Sequence, residues 1–147
     1  MTNIIDVRPY RPDDNSRLAD IWHGASAEAH AFLPEELLIE QKQLVAQHYL
    51  PQSETWVAEL HSAGPVGFIG LAGSFVGGLF VDRTCQGKGV GRLLMDHALN
   101  LKGSLELEVY ALNERAMRFY QGLGFIEVSR SPTDDQGLPY ATVRMRR

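Results

Sequence analysis

Apolar residues along this chain change their spacing several times, and each change marks an element. Residues 4–8 form a short β-rich run, and Pro12-Asp13-Asp14 then opens a helix. In it Leu18, Ile21, Trp22, Ala25 and Ala29 recur at the spacing of one helical face. Pro34-Glu35-Glu36 opens a second helix, with Leu37, Leu38, Leu44, Val45 and His48 predicted on one side. Proline suits a first helical turn, and carboxylates there favour the helix dipole. Strands are predicted at 56–60, 66–72 and 75–81, separated by Ser62-Ala63-Gly64-Pro65 and by Gly73. Such short connections make consecutive strands hairpins. Gly77-Gly78 inside the third strand predicts a bulge or a close backbone approach.

A glycine-rich loop, 85–91, leads into a helix with Val90, Leu93, Leu94, His97, Ala98 and Leu101 on one face, stopped by Gly103. Leu105, Leu107 and Val109 alternate with Glu106, Glu108 and Tyr110, which is the period of a strand. Asn113 is a good N-cap for a helix whose stripe is Ala116, Phe119, Tyr120 and Leu123, ended by Gly122 and Gly124. Strands at 125–130 and 140–145 follow, joined across Asp134-Asp135-Gln136-Gly137. The order β-α-α-β-β-β-α-β-α-β-β implies one mixed α/β (α+β) domain over 1–147. Its sheet is largely antiparallel, flanked by helices, with one parallel crossover after the glycine loop.

A chain of 147 residues fits a single domain. At this size roughly 68–70% of the unfolded surface is buried, so neither disulfide nor metal is needed for folding. The net charge of −4 lacks the basic excess of nucleic-acid binders, so no nucleic-acid partner is expected. Cys85 is the single cysteine, which excludes an intrachain disulfide and agrees with a reducing compartment. Residues 1–11 hold no apolar signal-peptide core. The weakly charged stretch 62–81 is broken by Gly64, Pro65, Gly67, Gly70, Gly73, Gly77 and Gly78, so strands and turns are expected there rather than a membrane span. A cytoplasmic protein is the expectation. The five histidines show no metal-ligand spacing, so no metal is expected.

The candidate chemistry starts at residues 80–91, where a strand runs into a glycine-rich turn and then a helix N-terminus. Unpaired N–H groups there attract phosphate oxygens, and glycines let the backbone come close. Lys88 and Arg92 add positive charge. The spacing Gly87-x-Gly89-x-Gly91 fits neither the P-loop nor the G-x-G-x-x-G dinucleotide fingerprint, which disfavours a kinase or a dehydrogenase. A tight turn with no ligand is the alternative reading of the glycines alone.

The segment Gln86-Gly87-Lys88-Gly89-Val90-Gly91 resembles the coenzyme A loop of the GNAT superfamily, the GCN5-related N-acetyltransferases. Gln86, Gly89 and Gly91 fill that loop's fixed positions. Leu107-Glu108-Val109, Asn113, Ala116, Phe119-Tyr120 and Leu123-Gly124-Phe125 resemble the family's next motif. The opening from Val7 to Asp14 also looks like a GNAT start, so the resemblance spans nearly the whole chain in order. It implies a small single-domain bacterial-type member with the GNAT fold, carrying acetyl from acetyl-coenzyme A (acetyl-CoA) directly to a primary amine without a metal. It further implies that Leu79, Phe80 and Val81 offer a strand edge to the pantetheine amides. The amides of Gln86, Gly87, Lys88, Gly89, Val90, Gly91 and Arg92 would hold the pyrophosphate, and Asn113 would touch the pantetheine arm. An N–H near Phe80 or Val81 would stabilise the oxyanion.

Acetyl transfer needs two proton movements. The acceptor ammonium, with a reference pKa of about 10.4, must lose a proton, and the leaving thiolate must gain one. Tyr120 matches the family's general acid, whereas periodicity alone reads it as a core aromatic. Glu108 matches a glutamate used as base by some members that modify protein amino groups. It reads equally as a solvated strand carboxylate, and water relaying protons to a carboxylate or histidine would also serve. His23, His30, Trp22, Phe32 and Trp56 either line an acceptor pocket or simply pack. Cys85 has no identifiable partner base, so no acyl-enzyme is expected. With Glu108, the resemblance to protein-acetylating members implies a protein lysine or N-terminal amine as the expected acceptor. The alternatives are a small free amine (polyamine, aminoglycoside or amino-acid derivative), drawn by an acidic funnel of Glu28, Glu35, Glu36, Asp134 and Asp135, or a non-catalytic coenzyme A-binding module. A monomer or homodimer with no membrane partner is expected.

Overall fold

A computed structural model describes residues 4–147, so the part of the N-terminal reading that falls on residues 1–3 lies outside the described chain. The elements are β1 (Ile5–Pro9), a 3₁₀ turn (Pro12–Asp14), α1 (Asn15–Ala29), α2 (Glu35–Leu44), a π turn (Val45–Tyr49) and α3 (Leu50–Gln52). They continue with β2 (Glu54–Leu60), β3 (Gly64–Ala72), β4 (Phe75–Val81), a 3₁₀ turn (Arg83–Cys85) and α4 (Val90–Lys102). β5 (Glu106–Tyr110), α5 (Glu114–Gly122), β6 (Ile126–Ser131) and β7 (Thr142–Arg146) complete the chain. One seven-stranded sheet runs in the order β1-β2-β3-β4-β5-β7-β6. Every neighbouring pair is antiparallel except β4 and β5, which the α4 crossover makes parallel. The expected mixed α/β architecture is therefore observed.

Strand alternation sorts the core into two layers. Val57 and Phe68 face α1 and α2, where they meet Leu18, Ile21, Trp22, Leu38, Val45 and Leu50. Ala58 and Ile69, their sequence neighbours, face the other way into the cluster that holds Val90, Leu94, Met95 and Ala98 of α4. β3 is buried without interruption from Val66 to Leu71, as a central strand covered on both faces must be.

Two helical faces differ from the expected ones. In the second helix Leu44 is 52% exposed and His48 is exposed, whereas Leu50 is fully buried. The π turn Val45–Tyr49 accommodates an extra residue and rotates the following side chains, so the buried stripe passes to Tyr49 and Leu50. In α4 the buried arc runs through Val90, Leu94, Met95 and Ala98, which leaves Leu93 and Leu101 on its flank, exposed.

The chain opening has a structural role. Arg8 on β1 donates to both carboxylate oxygens of Asp14 at 2.8 Å each and to Glu59 on β2 at 2.6 Å. Asp14 is buried and also accepts the Arg11 N–H at 2.8 Å. The Arg8 guanidinium holds the Asp14 carboxyl below its usual range, so the entry to α1 is locked to the sheet by a paired, hydrogen-bonded charge. Gly77 shows both features its sequence context predicts. The β3–β4 register passes from Gly70↔Gly78 to Leu71↔Val76, leaving Gly77 as the extra residue of a bulge. The Tyr49 hydroxyl lies so close to Gly70 and Gly77 that neither position has room for a Cβ. Among the described residues no helix is long and apolar enough to cross a membrane.

Candidate active site

β4 and β5 pair only at Phe75↔Glu106 and Val76↔Leu107. Beyond the bulge at Gly77 they separate. Gly78, Leu79, Phe80 and Val81 keep their antiparallel partners on β3, while on their opposite edge the ladder with β5 has ended. Leu79, Phe80 and Val81 are half-buried on that edge.

The glycine loop lies beyond the C-terminal end of β4. Gly87 and Gly89 adopt φ of 76° and 86°, a region glycine enters without steric cost. The N–H groups of residues 86–89 have no acceptor among the described residues. Gly89 is the N-cap of α4, and the helical bonding starts with the Leu93 N–H on the Gly89 carbonyl at 3.0 Å. The N–H groups of Val90, Gly91 and Arg92 are consequently free as well. Lys88 is exposed with no carboxylate within ion-pair distance among the described residues, and Arg92 is 3.9 Å from Asp96. A Cβ on Gly91 would meet the Phe119 ring at 3.4 Å and Leu79 and Val81 at 3.8 Å, so α5, β4 and the start of α4 converge here. The expected diphosphate donors are thus one unpaired array at a positive helix end.

The Gln86 side chain adds a contact its sequence position did not signal. Its Nε2 donates to the Val81 carbonyl at 3.3 Å, and its Oε1 accepts from Arg115 Nη1 at 3.1 Å. Glu28 stands 3.9 Å from Arg83 and 4.0 Å from Arg115, which links α1, the loop and α5.

Asn113 caps α5 as expected, its Oδ1 accepting the Ala116 N–H at 3.2 Å. That bond fixes the amide orientation and turns Nδ2 toward His30 Nε2 at 3.4 Å. Burial pushes the His30 imidazole down to about 4, so it is neutral and Nε2 can accept. Because the unfolded histidine titrates near 6.5, the unfolded chain binds this proton first on acidification. His30 therefore contributes stability above pH 6.5 that is lost as pH falls toward about 4, amounting to about 2–3 kcal/mol. Urea midpoints between pH 7 and 4 should fall less steeply in His30→Phe than in the wild type; parallel slopes would contradict this.

Tyr120 lies on α5 against the rings of Phe119 at 5.3 Å and Phe125 at 5.7 Å. It shares the rim of the main core with Leu79, Val81 and Phe119. Burial pushes its phenol up to about 12, which keeps it protonated, and its hydroxyl has no hydrogen-bond partner among the described residues. Glu108 points away from Leu107 and Val109 as the alternation requires, and lies 3.8 Å from Nη1 of Arg144, whose Nη2 pairs with Glu106 at 3.4 Å.

Of the candidates for an acceptor pocket, His30 and Phe32 come together and the others do not. His30, Phe32, Tyr110 and Tyr140 form one aromatic group, with ring centroids 4.9 Å apart for His30–Tyr110, 5.3 Å for Phe32–Tyr110 and 5.1 Å for Phe32–Tyr140. Trp22 is buried behind Phe80, edge-on at 6.3 Å. Trp56 falls on the α4 face because it alternates with Val57, and packs on His97 at 4.4 Å. His23 stays outside the group, its Nε2 buried with no partner among the described residues. Asp134 does not fit the acidic funnel of the alternative small-amine reading. It is 7% exposed and accepts the Tyr110 hydroxyl at 3.0 Å and the N–H groups of Gln136 and Leu138 at 3.0 and 2.9 Å. Tyr110 and Tyr140 are site residues that the sequence reading does not single out, and the one signal it offers is that Tyr110 shares its strand face with Glu106 and Glu108. Among the described residues no group of three or more histidine, cysteine, aspartate or glutamate side chains could hold a metal ion.

The model of the Acetyltransferase (GNAT) domain family matches residues 51–127. The peptidyl-lysine N-acetyltransferase YjaB of Escherichia coli (strain K12) is 37% identical over 97% of this chain and 96% of that protein. The solution structure of apo-form YjaB from Escherichia coli superposes with a TM-score of 0.89 at 36% identity, covering 97% of both chains. The PaiA N-acetyltransferase from Thermoplasma acidophilum, solved in complex with coenzyme A, shares the fold with a TM-score of 0.78 at 16% identity, over 96% of this chain and 98% of that one. The matched segment runs through the splayed strand pair, the unpaired N–H loop and the Asn113-capped helix, and so this chain belongs to the GNAT family and is an N-acetyltransferase.

Proposed function

We propose that this enzyme moves the acetyl group of acetyl-CoA directly onto the ε-amine of a lysine in a protein or peptide. The observation that carries the cofactor reading is the unpaired edge of β4 running straight into the free N–H groups of residues 86–92. In this reading the edge at Leu79, Phe80 and Val81 pairs with the pantetheine amides. The N–H groups from Gln86 to Arg92, assisted by the Lys88 and Arg92 charges, hold the diphosphate. Asn113 bounds the pantetheine arm. A neighbour of the same fold was solved in complex with coenzyme A, which agrees with coenzyme A as the ligand class.

The amine nitrogen attacks the thioester carbonyl, and an N–H near Phe80 or Val81 stabilises the tetrahedral oxyanion. The C–S bond then breaks, and the thiolate takes its proton from Tyr120. Before the attack Glu108, on the same face of β5 as Tyr110, takes the ammonium proton directly or through water, and the second proton, shed by the nitrogen as the intermediate collapses, restores the Tyr120 phenol. The YjaB relatives, named peptidyl-lysine N-acetyltransferases and at least 34% identical over 97% of this chain, support the lysine acceptor. The single cysteine fits a cytoplasmic enzyme.

The test offers acetyl-CoA with lysyl peptides, peptides whose only amine is N-terminal, and spermidine, and identifies products by mass spectrometry. Nε-acetyl-lysine in the first set is the expected product. Acetylation of spermidine alone would overturn the protein acceptor, and turnover with no amine would overturn direct transfer.

A further inference from the structure

The aromatic group at the end of β5 is not accounted for by core packing. Phe32 comes from the α1–α2 connection, Tyr110 from the last position of β5 and Tyr140 from the β6–β7 connection. All three rings are half-buried, so part of each stays open to solvent, and they only fringe the core cluster of α1 and α2. They meet edge-to-face or tilted, between 5.1 and 6.4 Å, instead of closing flat on one another. Because each residue is only half-buried, part of the electron-rich ring surface stays available to a cation.

Behind them sits Asp134. It is buried, yet no lysine, arginine or histidine lies within ion-pair distance of it among the described residues. Its partners are the Tyr110 hydroxyl and two backbone N–H groups. A phenol donating to a carboxylate becomes more electron-rich, which strengthens attraction of a cation to its ring. Burial and this carboxylate both raise the Tyr110 phenol far above its ordinary value, so it remains the donor. His30, the fourth ring, is neutral and sets no opposing charge beside them. The nearby cations are engaged elsewhere, Arg144 with Glu106 and Glu108, and Arg115 with Gln86. Through His30 the group adjoins Asn113 and hence the N-terminus of the helix that carries Tyr120.

We propose that Phe32, Tyr110 and Tyr140, backed by the buried Asp134, form the subsite that receives the acceptor's alkylammonium arm and selects a cationic side chain over a neutral one of equal length. The rings cover the methylenes of the arm and attract its charged end. The proposal rests on the lysine reading above and specifies how that lysine is chosen.

A matched pair of peptides tests it, differing only in trimethyllysine or norleucine at the acceptor position. Calorimetry on the enzyme saturated with coenzyme A gives both dissociation constants without any turnover. The trimethyllysine peptide should bind about tenfold more tightly. Tyr140→Leu should abolish that preference and raise the KM for the lysyl peptide about tenfold, with the KM for acetyl-CoA within about twofold. Tyr140→Phe keeps the ring and should retain the preference, and melting temperatures of both variants check folding. Equal binding of the two peptides by the wild type, or an unchanged preference in Tyr140→Leu, overturns the subsite. If lysyl peptides are acetylated but the pair binds equally, the subsite alone is wrong. If no lysyl peptide is acetylated, the lysine reading fails while the binding ratio still decides the subsite.

Discussion

Tyr120→Phe is expected to lower kcat by about 10²–10³-fold while changing the KM for acetyl-CoA by less than about twofold. The substitution is unusually clean here. The Tyr120 hydroxyl makes no hydrogen bond among the described residues, so its removal orphans no buried partner. The ring that packs on Phe119 and Phe125 remains. Stability should therefore stay within about 0.5 kcal/mol of the wild type, and the lost rate reports a missing proton donor. With the phenol pushed up to about 12, Tyr120 stays protonated throughout the neutral and mildly alkaline range. The wild-type rate should accordingly show no decline from this group up to about pH 10, and any acid-side limb belongs to the amine and its base. Full turnover by Tyr120→Phe would remove the residue from the chemistry.

What could be read in advance followed the range of the interactions involved. Asn113 was legible because an N-cap bonds only three residues ahead, to Ala116. The glycine loop was legible because Gly87 and Gly89 answer a local backbone demand. The outward face of β5 followed from alternation alone, and Glu108 lies on it. The aromatic wall was not legible, because Phe32, Tyr110 and Tyr140 are brought together only when three distant segments dock at one end of the sheet. For Trp56 the choice between pocket and packing stays open in the sequence, because its neighbours there do not say which sheet face it takes, and the β2 register with β3 decides for packing on His97. The π turn defeated the helical stripe for a related reason. The extra residue turns His48 outward and brings Leu50 into the core, whereas Leu44 precedes the turn and is exposed because it lies off the stripe of Leu38 and Val45. The family opening from Val7 to Asp14 was recognisable as a pattern, but its physical content, the Arg8 bridge to Asp14 and Glu59, required the fold.

The diphosphate reading makes the second large prediction, in the double variant Gly87→Val/Gly89→Val. Both glycines hold positive φ, and a Cβ at either would meet nothing within 4 Å. A side chain therefore causes no clash, and the whole penalty is backbone strain of about 1–2 kcal/mol per position. The loop has few other contacts to enforce that conformation, since the N–H groups of residues 86–89 have no partner among the described residues. It will relieve the strain by rotating these donors out of the array. Coenzyme A should then bind about 10²-fold more weakly, with only a small drop in melting temperature. Gly64→Val separates strain from function. Gly64 has φ of 79° in open space at the β2–β3 turn, remote in sequence from the loop, so it carries the same conformational demand without a diphosphate to hold. That variant should lose stability and bind coenzyme A like the wild type. If the loop variant also binds within about threefold of the wild type, the N–H array does not grip the diphosphate.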